Sequence, residues 1–334
     1  MENHKLQIPT GMQDTLPGEC RVKRGLEEKL RRLFALSGFQ EIETPILEYY
    51  NALDDATYGY RPEHVWKTFD RNGQVLAIRP DSTIPSVRLA AGRLKEEVLP
   101  LRLCYIQNMA KYTSDTLSML CEQTQAGVEL MGESSHHADA EVIALAIEAL
   151  KTAGLRDFQI ELGQAGFFQG FMQEAGLNEE QCEVMRGLVS RKDALGMVHE
   201  AGYYSGIIFQ GQTASLGQPL LSGGRYDGLP SRFGREMPAV GFAVNLKLVL
   251  IALEKQGCSF EAPVPDLMLG FEQGCLRQAA AYACEKRAAG ISGSLQYDAA
   301  PGELRARQQQ GQCRQAAYIT PEGIQCFGEE TTHE

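Results

Sequence analysis

The sequence predicts an α+β protein with two domains, and three observations support this fold class. Apolar residues recur at helical spacing in several segments, the stretch from Cys121 to Gly132 alternates with period two, and Pro263 and Pro265 separate a C-terminal region. The 334 residues are enough for two cores. We therefore predict a larger domain over residues 1–262 and a small α/β domain over residues 263–334.

The elements of the larger domain are predicted from spacing and from turn residues. Pro17 begins a helix that ends at Gly38, because the apolar residues between them share one face. A strand follows over Phe39–Ile46, and Asn72-Gly73 predicts a tight hairpin turn. The remaining predicted elements of this domain are a strand at 74–79, a helix at 84–94, a strand at 121–132, a helix around 142–150, a strand at 158–162 and helices from 167 to about 197. Those of the C-terminal domain are strands at 267–271, 294–297 and 316–319 and helices at 276–289 and 302–310.

Composition excludes several classes of protein. The chain is 43% hydrophobic and 22% charged, which is ordinary for a globular protein, and no apolar run approaches the 18 residues of a membrane span. The N-terminus lacks a signal-peptide pattern, and the nine cysteines form no C-x-x-C pair. We therefore expect reduced thiols, a cytoplasmic protein and no membrane partner. The net charge of −11 argues against broad attraction to nucleic acid.

One acidic and histidine-rich segment could suggest a metal site. His136, His137, Asp139 and Glu141 stand close together, but residues 142–150 continue at helical spacing. We therefore interpret the acidic residues as the start of a helix, where negative charge interacts favourably with the helix dipole. The sequence predicts no metal ion and no other cofactor.

The polar face of the strand at 121–132 is the main functional signal. Gln123, Gln125, Gly127 and Glu129 point to one side of this strand. Two amides, a carboxylate and a glycine suit a small polar ligand, because Gly127 leaves room and Glu129 supplies charge. The alternative is that this face is the solvent-exposed side of an edge strand.

Four motifs resemble those of the histidyl-tRNA synthetases, a family with the class II aminoacyl-tRNA synthetase fold. The resemblance covers residues 8 to about 255 and implies an antiparallel sheet flanked by helices. It also implies that residues 39–46, with Glu48 beyond them, correspond to motif 1, through which the family dimerises. The motifs are Arg79–Thr83 (Arg-Pro-Asp-Ser-Thr), Gln125–Glu129 (Gln-Ala-Gly-Val-Glu), Tyr203–Phe209 and Ser222–Leu229.

The same resemblance implies a pocket for L-histidine. In the family a carboxylate and a hydroxyl hold the ammonium group, while a glutamate and a tyrosine bind both nitrogens of the imidazole ring. Asp81-Ser82-Thr83 has a second interpretation as the N-cap of the following helix, and both can hold. The residues implied for the pocket are Asp81, Thr83, Gln125, Glu129, Tyr203, Tyr204 and Tyr226.

Three positions that carry arginine in the synthetases carry other residues here. They are Lys111, at the opening of motif 2, His199, before the tyrosine pair, and Leu248, in motif 3. Arginine suits a triphosphate because its planar guanidinium binds phosphate with two hydrogen bonds and stays charged. Lys247 does not replace Leu248, since one residue on a helix is a rotation of about 100°. The resemblance therefore implies a degenerate nucleotide site and no catalytic residue.

The segment between Lys192 and Tyr203 is shorter than in the family. About ten residues stand where the synthetases have a long helical insertion and a further strand. Either the chain has lost several tens of residues, or the numbering runs over residues that are absent; we favour the second because a core strand is missing. The assignment of His199 depends on this junction.

The chain keeps the residues implied for an imidazole pocket but lacks the arginines that would bind a nucleotide. In this combination it resembles the ATP phosphoribosyltransferase regulatory subunits, which are paralogues of the histidyl-tRNA synthetases. This resemblance implies a short-form catalytic subunit as partner in a hetero-octamer, a requirement for its activity, and feedback by histidine in the first step of L-histidine biosynthesis. The C-terminal domain has six basic and nine acidic residues, which predicts no tRNA binding. Two alternatives remain open: an active synthetase-like enzyme that activates an amino acid, and a scaffold with a vestigial pocket.

Overall fold

The structure is a computed structural model, and it describes residues 6–53, 65–112, 121–178, 181, 204–258 and 264–328. The chain divides into two compact units, Met1–Phe260 and Glu261–Glu334. Within the described residues, the first unit contains a seven-stranded and a three-stranded sheet, and the second contains a four-stranded sheet. None of the described helices is both long enough and apolar enough to cross a membrane.

The seven-stranded sheet is the framework of the larger unit. Its order is β1-β5-β6-β10-β9-β8-β7, and every neighbouring pair is antiparallel except β1 with β5. Its strands are β1 (Gln40–Glu41), β5 (Leu101–Ala110), β6 (Glu122–Met131), β7 (Gln159–Gln164), β8 (Ile207–Gln212), β9 (Leu221–Arg225) and β10 (Ala239–Asn245). The α+β class and the largely antiparallel sheet are therefore confirmed.

One face of this sheet is covered by helices and forms the main hydrophobic core. Ala126, Val128 and Leu130 of β6 pack there, as the period-two alternation predicts. Phe34 of α1 meets Phe242 of β10 edge to face at 6.1 Å between ring centroids. The helices of the larger unit are α1 (Pro17–Leu36), α2 (Thr83–Gly92), α3 (His136–Ala153), α4 (Ala165–Glu174), α5 (Gly228–Arg232) and α6 (Leu246–Lys255).

The opposite face of the large sheet is partly covered by a small sheet and two helices. The small sheet has the order β2-β4-β3, and α2 and α5 contribute to the same apolar cluster. Gly73 has a φ of 79° in the β3–β4 hairpin, which confirms the turn predicted at Asn72-Gly73. The strands of the small sheet are β2 (Leu47–Tyr49), β3 (Lys67–Phe69) and β4 (Val75–Ile78).

The strand predicted over Phe39–Ile46 is wrong in extent. Only Gln40 and Glu41 pair with β5, and one more bond joins the Ile42 amide to the Cys104 carbonyl at 2.8 Å. Pairing stops before Pro45, whose nitrogen has no hydrogen to donate. The chain then turns away and joins the small sheet as β2.

The smaller unit has an α/β arrangement close to the predicted one. Its sheet has the order β12-β11-β13-β14, in which the first three strands are parallel and β14 is antiparallel. The sequence analysis did not predict β14. The elements are β11 (Leu267–Phe271), α7 (Leu276–Ala288), β12 (Gly293–Gln296), α8 (Pro301–Gln309), β13 (Gln315–Thr320) and β14 (Gly323–Phe327).

Candidate functional site

The candidate site lies on the face of the large sheet opposite the main core. Strand pairing places Tyr105 beside Gly127, and Glu129 beside Gly241, which in turn pairs with Gly224. Because alternate residues share a face, Gly127 and Glu129 lie on the same side of β6. The centre of this face therefore combines a carboxylate with strands that carry almost no side-chain bulk.

Glu129 is the centre of a buried hydrogen-bonded cluster. The Tyr105 hydroxyl donates to Glu129 Oε1 at 3.2 Å, and the Tyr226 hydroxyl donates to Oε2. The Thr83 side chain is close enough to Glu129 and Tyr105 to lower the pKa of both groups. Glu129, Tyr105 and Tyr226 are all fully buried. Both carboxylate oxygens of Glu129 thus already have phenolic donors.

The start of helix α2 brings the second carboxylate to the same cluster. Asp81 is buried, and its Oδ1 accepts a hydrogen bond from the Ile84 amide at 3.0 Å. This bond satisfies a free amide of the first turn of α2, as the N-cap interpretation predicts, but it comes from Asp81, one residue before the N-cap position, and the Ser82 side chain makes no cap bond. The Ser82 amide donates to Gln125 Oε1 at 3.0 Å, which joins the start of α2 to β6.

Both carboxyl groups have raised pKa values. Burial raises the pKa of Glu129 to about 7, although hydrogen bonds from Tyr226, Thr83 and Tyr105 oppose this change. Burial also raises the pKa of Asp81 to about 6, and the amide of Ile84 and the charge of Lys111 oppose it. A pair of buried acids that titrate near neutral pH is a common feature of functional sites.

The glycines of this face accommodate side chains of the protein, which corrects the expectation that they leave room for a ligand. A Cβ at Gly127 would lie 2.6 Å from the Tyr105 hydroxyl oxygen, and one at Gly224 would lie 2.6 Å from a ring carbon of Tyr204. A Cβ at Gly241 would overlap Glu129 Oε2. Gly223 lies on the other face, against Phe209. In this structure the glycines let these aromatic and acidic side chains lie flat on the sheet.

The structure brings together most of the residues predicted for the pocket. Tyr226 is hydrogen bonded to Glu129, and Asp81 and Thr83 are near enough to Glu129 to change its pKa. Gln125 accepts from the Ser82 amide, and the Tyr204 ring lies over Gly224. Tyr226 also contributes to the apolar cluster around α2 and α5. Tyr203 lies outside the described residues.

Of the three positions predicted to form a degenerate nucleotide site, the structure describes Lys111 and Leu248, and these two have different surroundings. Lys111 is near enough to Asp81 to lower the pKa of that carboxyl group. Leu248 is 7% exposed and packs in the main hydrophobic core. His199 lies outside the described residues. Leu248 therefore offers nothing to a nucleotide in this structure, and Lys111 faces a carboxylate.

The arginines of the motifs at 79–83 and 222–229 have structural partners. Arg79 donates from Nη1 to the Thr44 carbonyl at 2.6 Å and from Nε to the Asn108 carbonyl at 2.7 Å. Arg225 donates from Nε to Asp139 Oδ1 at 2.8 Å. These bonds hold the segment before β2 against β5, and β9 against α3. Asp139 lies in the first turn of α3, as the sequence analysis interpreted it, and the structure adds its ion pair with Arg225.

A cavity of about 160 Å³ lies on the same face beside Gln125. Among its described lining residues none is charged, so it offers amide and hydroxyl groups together with apolar surface. Its lining residues are Met109, Gln123, Thr124, Gln125, Pro219, Leu220, Leu221, Ser222, Ala243 and Asn245.

Tyr105 is the site residue that the sequence analysis missed. Its ring lies against Gly127, its hydroxyl bonds with Glu129, and its pKa is raised well above the ordinary value by burial and by the charge of Glu129. The sequence does contain one indication of this role, an aromatic residue in the strand that precedes the strand with Gly127. The register of the two strands was needed to place it opposite Gly127.

Comparison with known proteins identifies the family. A histidyl-tRNA synthetase family model matches residues 11–199 and 194–249. A protein of Acetivibrio thermocellus named ATP phosphoribosyltransferase regulatory subunit is 37% identical, with 85% of each chain covered. A protein of Desulforamulus reducens with the same name is 32% identical, with 90% of this chain and 93% of that protein covered. The chain belongs to the ATP phosphoribosyltransferase regulatory subunit family.

Solved structures agree with this family and with its class II synthetase-like fold. A structure described as an ATP phosphoribosyltransferase regulatory subunit/histidyl-tRNA synthetase from Bacillus halodurans has a TM-score of 0.80 and 28% identity, with 94% of this chain and 98% of that chain covered. A histidyl-tRNA synthetase of S. aureus has a TM-score of 0.72 at 21% identity, with 94% and 90% covered, and shows the fold alone.

The regulatory subunit relatives also bear on the short segment before Tyr203. The Acetivibrio thermocellus alignment runs over 357 positions, more than the 334 residues of this chain, so that relative has residues that this chain lacks. The synthetase family model matches in two parts that meet at 194–199. This junction falls in the segment where the sequence analysis expected a missing stretch, and it lies outside the described residues.

Proposed function

We propose that this chain is a non-catalytic subunit that a short-form ATP phosphoribosyltransferase catalytic subunit requires for activity, and that it transmits feedback by L-histidine. The observation that carries this proposal is the buried cluster of Glu129, Thr83, Tyr105 and Tyr226 beside Asp81. Histidine has two groups that suit it, an ammonium group and an imidazole ring. The names of the relatives supply the reaction in which such a sensor would act.

In the proposed pocket each carboxylate has a separate task. Asp81 accepts from the Ile84 amide through Oδ1, and we assign the ammonium group of the ligand to the same carboxylate. Glu129 accepts a ring N–H, and a phenolic hydroxyl can serve the second ring nitrogen. Thr83, Gln125 and the tyrosines at 203, 204 and 226 complete the pocket. An amino acid without a polar ring would displace a phenolic donor from Glu129 without supplying an N–H in its place, which favours histidine.

The proposal that the chain does not activate amino acids follows from the cavity beside Gln125. Adenylate formation needs cations on the phosphates, and the described lining of this cavity is uncharged. Arg79 and Arg225 are engaged in structural bonds, and Leu248 is in the core. The three replaced synthetase positions thus fit a subunit that keeps amino-acid recognition without phosphate chemistry.

The proposed assembly is a hetero-octamer in the cytoplasm, with self-association through the region of motif 1. Leu47 and Tyr49 of β2 lie on the outer face of the small sheet and are 41% and 57% exposed. Leu76 and Ile78 of β4 pair with them on the same face. An apolar face of this kind suits a second copy of the chain. We propose no binding of tRNA, because the smaller unit is acidic.

The test is a reconstitution with a short-form catalytic subunit. ATP and phosphoribosyl pyrophosphate are supplied, and product is measured with and without this chain and with increasing histidine. We expect activity only in the mixture and inhibition by histidine. Glu129→Gln should keep activation and lose most inhibition, whereas Glu122→Gln, an exposed residue of the same strand, should behave as the unmodified chain.

Two results would favour the other functions considered for this fold. Histidine-dependent exchange of pyrophosphate with ATP by the chain alone would show an active amino-acid-activating enzyme. Inhibition by histidine that Glu129→Gln leaves unchanged would show a scaffold whose pocket has no role. Absence of activation in the mixture would contradict the proposal itself.

A further inference from the structure

Tyr105 stands between Glu129 and the cavity beside Gln125. Gly127 lies between Gln125 and Glu129 on the same face of β6, and the Tyr105 hydroxyl oxygen lies only 2.6 Å from where a Cβ of Gly127 would be. Gln125 lines the cavity, and Glu129 is fully buried. A ligand that reaches Glu129 from the cavity therefore has to enter the space that the Tyr105 hydroxyl occupies.

The bond from Tyr105 to Glu129 is a weak one. Its 3.2 Å is long for an O–H···O bond, for which about 2.7–2.8 Å is usual. The Tyr226 hydroxyl donates to the other carboxylate oxygen. Tyr226 is also held in the apolar cluster around α2 and α5, and Tyr105 is not part of that cluster. Tyr105 is therefore the donor that can be exchanged at lower cost.

We propose that the Tyr105 hydroxyl occupies the position of a ligand N–H on Glu129, so that the empty site is satisfied internally and ligand binding exchanges one donor for the other. This inference rests on the proposed histidine pocket and adds a regulatory residue to it. A phenol and an imidazole N–H are both single donors to a carboxylate oxygen. The Thr83 side chain, which is close enough to Tyr105 and Glu129 to lower the pKa of both groups, can partner the released phenol.

The exchange sets the affinity of the pocket for histidine. In the empty protein Tyr105 stabilises Glu129, and a ligand must give up that bond before it makes its own. Removing the hydroxyl leaves a buried carboxylate oxygen without this donor, which raises the free energy of the ligand-free protein. The free energy of the ligand-bound protein changes little, because the ligand N–H then serves that oxygen. Tyr105→Phe should therefore bind histidine more tightly, in contrast to the usual effect of deleting a polar group from a binding site.

The matched control is a tyrosine-to-phenylalanine substitution at Tyr226, whose hydroxyl donates to the other oxygen of Glu129. Tyr226→Phe also removes one phenolic hydroxyl from a fully buried ring. Since Tyr226 is counted among the residues that bind the ligand, its loss should weaken binding. Titration calorimetry with L-histidine should show about a tenfold or greater gain for Tyr105→Phe and about a tenfold or greater loss for Tyr226→Phe. Thermal unfolding should show a single folded species for both.

The outcomes separate this inference from the proposed function. If the unmodified chain binds histidine and Tyr105→Phe binds it equally or more weakly, the exchange is wrong and the pocket stands. If only Tyr105→Phe binds, the exchange is supported and explains weak binding by the unmodified chain. If neither binds, alone or with the catalytic subunit, both the pocket and the exchange are wrong.

A kinetic measurement gives a readout that a structural role of Tyr105 would not change. If the hydroxyl must leave before the ligand enters, the association rate of histidine should rise in Tyr105→Phe by about the same factor as the affinity. Stopped-flow fluorescence of Trp66, the single tryptophan of the chain, can follow binding. A gain confined to the dissociation rate would contradict the exchange.

Discussion

The carboxyl groups of Asp81 and Glu129 are both buried, and the charge of Asp81 contributes to the raised pKa of Glu129. The two groups come from the start of α2 and from the middle of β6. Each is stabilised by hydrogen bonds, yet burial outweighs those bonds in both pKa values. In the empty pocket the two carboxyl groups therefore tend to stay protonated near neutral pH. A ligand with cationic groups would take the place of these protons.

The first prediction concerns stability and pH. The pKa of Glu129 is about 7 in the folded protein and ordinary when unfolded, so the folded state holds the proton more strongly. Stability should therefore fall as pH rises from about 5 to 8, by on the order of 3 kcal/mol for this residue at about 1.4 kcal/mol per pKa unit. Urea unfolding followed by Trp66 fluorescence at several pH values measures this.

The comparison for this prediction is Glu129→Gln, which cannot titrate. Its stability should vary much less between pH 5 and 8, leaving the smaller contribution of Asp81, whose pKa of about 6 is also raised. Glu122→Gln at the exposed start of β6 should keep the dependence of the unmodified chain. A profile for Glu129→Gln as steep as that of the unmodified chain would show that Glu129 does not titrate in this range.

The second prediction concerns which parts of the ligand matter. Arg79 and Arg225, the arginines of the motifs at 79–83 and 222–229, are committed to structural partners, so neither is offered to a ligand carboxylate. We expect L-histidinol, which lacks the carboxylate, to bind within about fivefold of histidine. Imidazole propionate, which lacks the ammonium group, should bind at least a hundredfold more weakly because Asp81 loses its partner.

Competition calorimetry against histidine decides between these ligands. Strong preference for histidine over histidinol would indicate that a cation binds the carboxylate. Equal binding of imidazole propionate would remove Asp81 from the pocket.

The alternation of β6 made much of the site predictable, because a period of two assigns Glu129 and Gln125 to one face and Val128 to the core. The N-cap role of Asp81 was predictable for a similar reason, since Asp-Ser-Thr before an apolar helix is a local signal. Both depend on neighbours in sequence. The position of Tyr105 could not be predicted in this way. Its contact with Gly127 depends on the register between β5 and β6, two strands separated by a loop.

The role of the glycines was predicted incorrectly for a related reason. A glycine in a strand indicates that something approaches the backbone, but it does not indicate what approaches. Here Tyr105 and Glu129 occupy the space above Gly127 and Gly241. The strand over Phe39–Ile46 failed because Pro45 ends the pairing with β5 earlier than the apolar pattern suggests.

The third prediction follows from the close packing at Gly241. Gly241→Ala places a methyl group where Glu129 Oε2 lies, so the carboxylate has to move. We expect loss of histidine binding by more than tenfold and a stability cost of about 1–3 kcal/mol. Gly166→Ala is the control, because nothing lies within 4 Å of its Cβ position. Unchanged histidine binding in Gly241→Ala would show that the position of Glu129 is unimportant.

The last prediction tests whether a single substitution restores a nucleotide site. Leu248→Arg puts back the arginine of motif 3, but the Leu248 side chain packs in the main core beside α1 and β6. Burying a guanidinium there without a partner should cost about 3–5 kcal/mol, and we expect no exchange of pyrophosphate with ATP. Lys247→Arg, one position earlier and partly exposed, should fold normally, also without exchange. A stable Leu248→Arg chain that binds ATP would show that this helix turns its motif 3 position to the ligand face, against the packing described here.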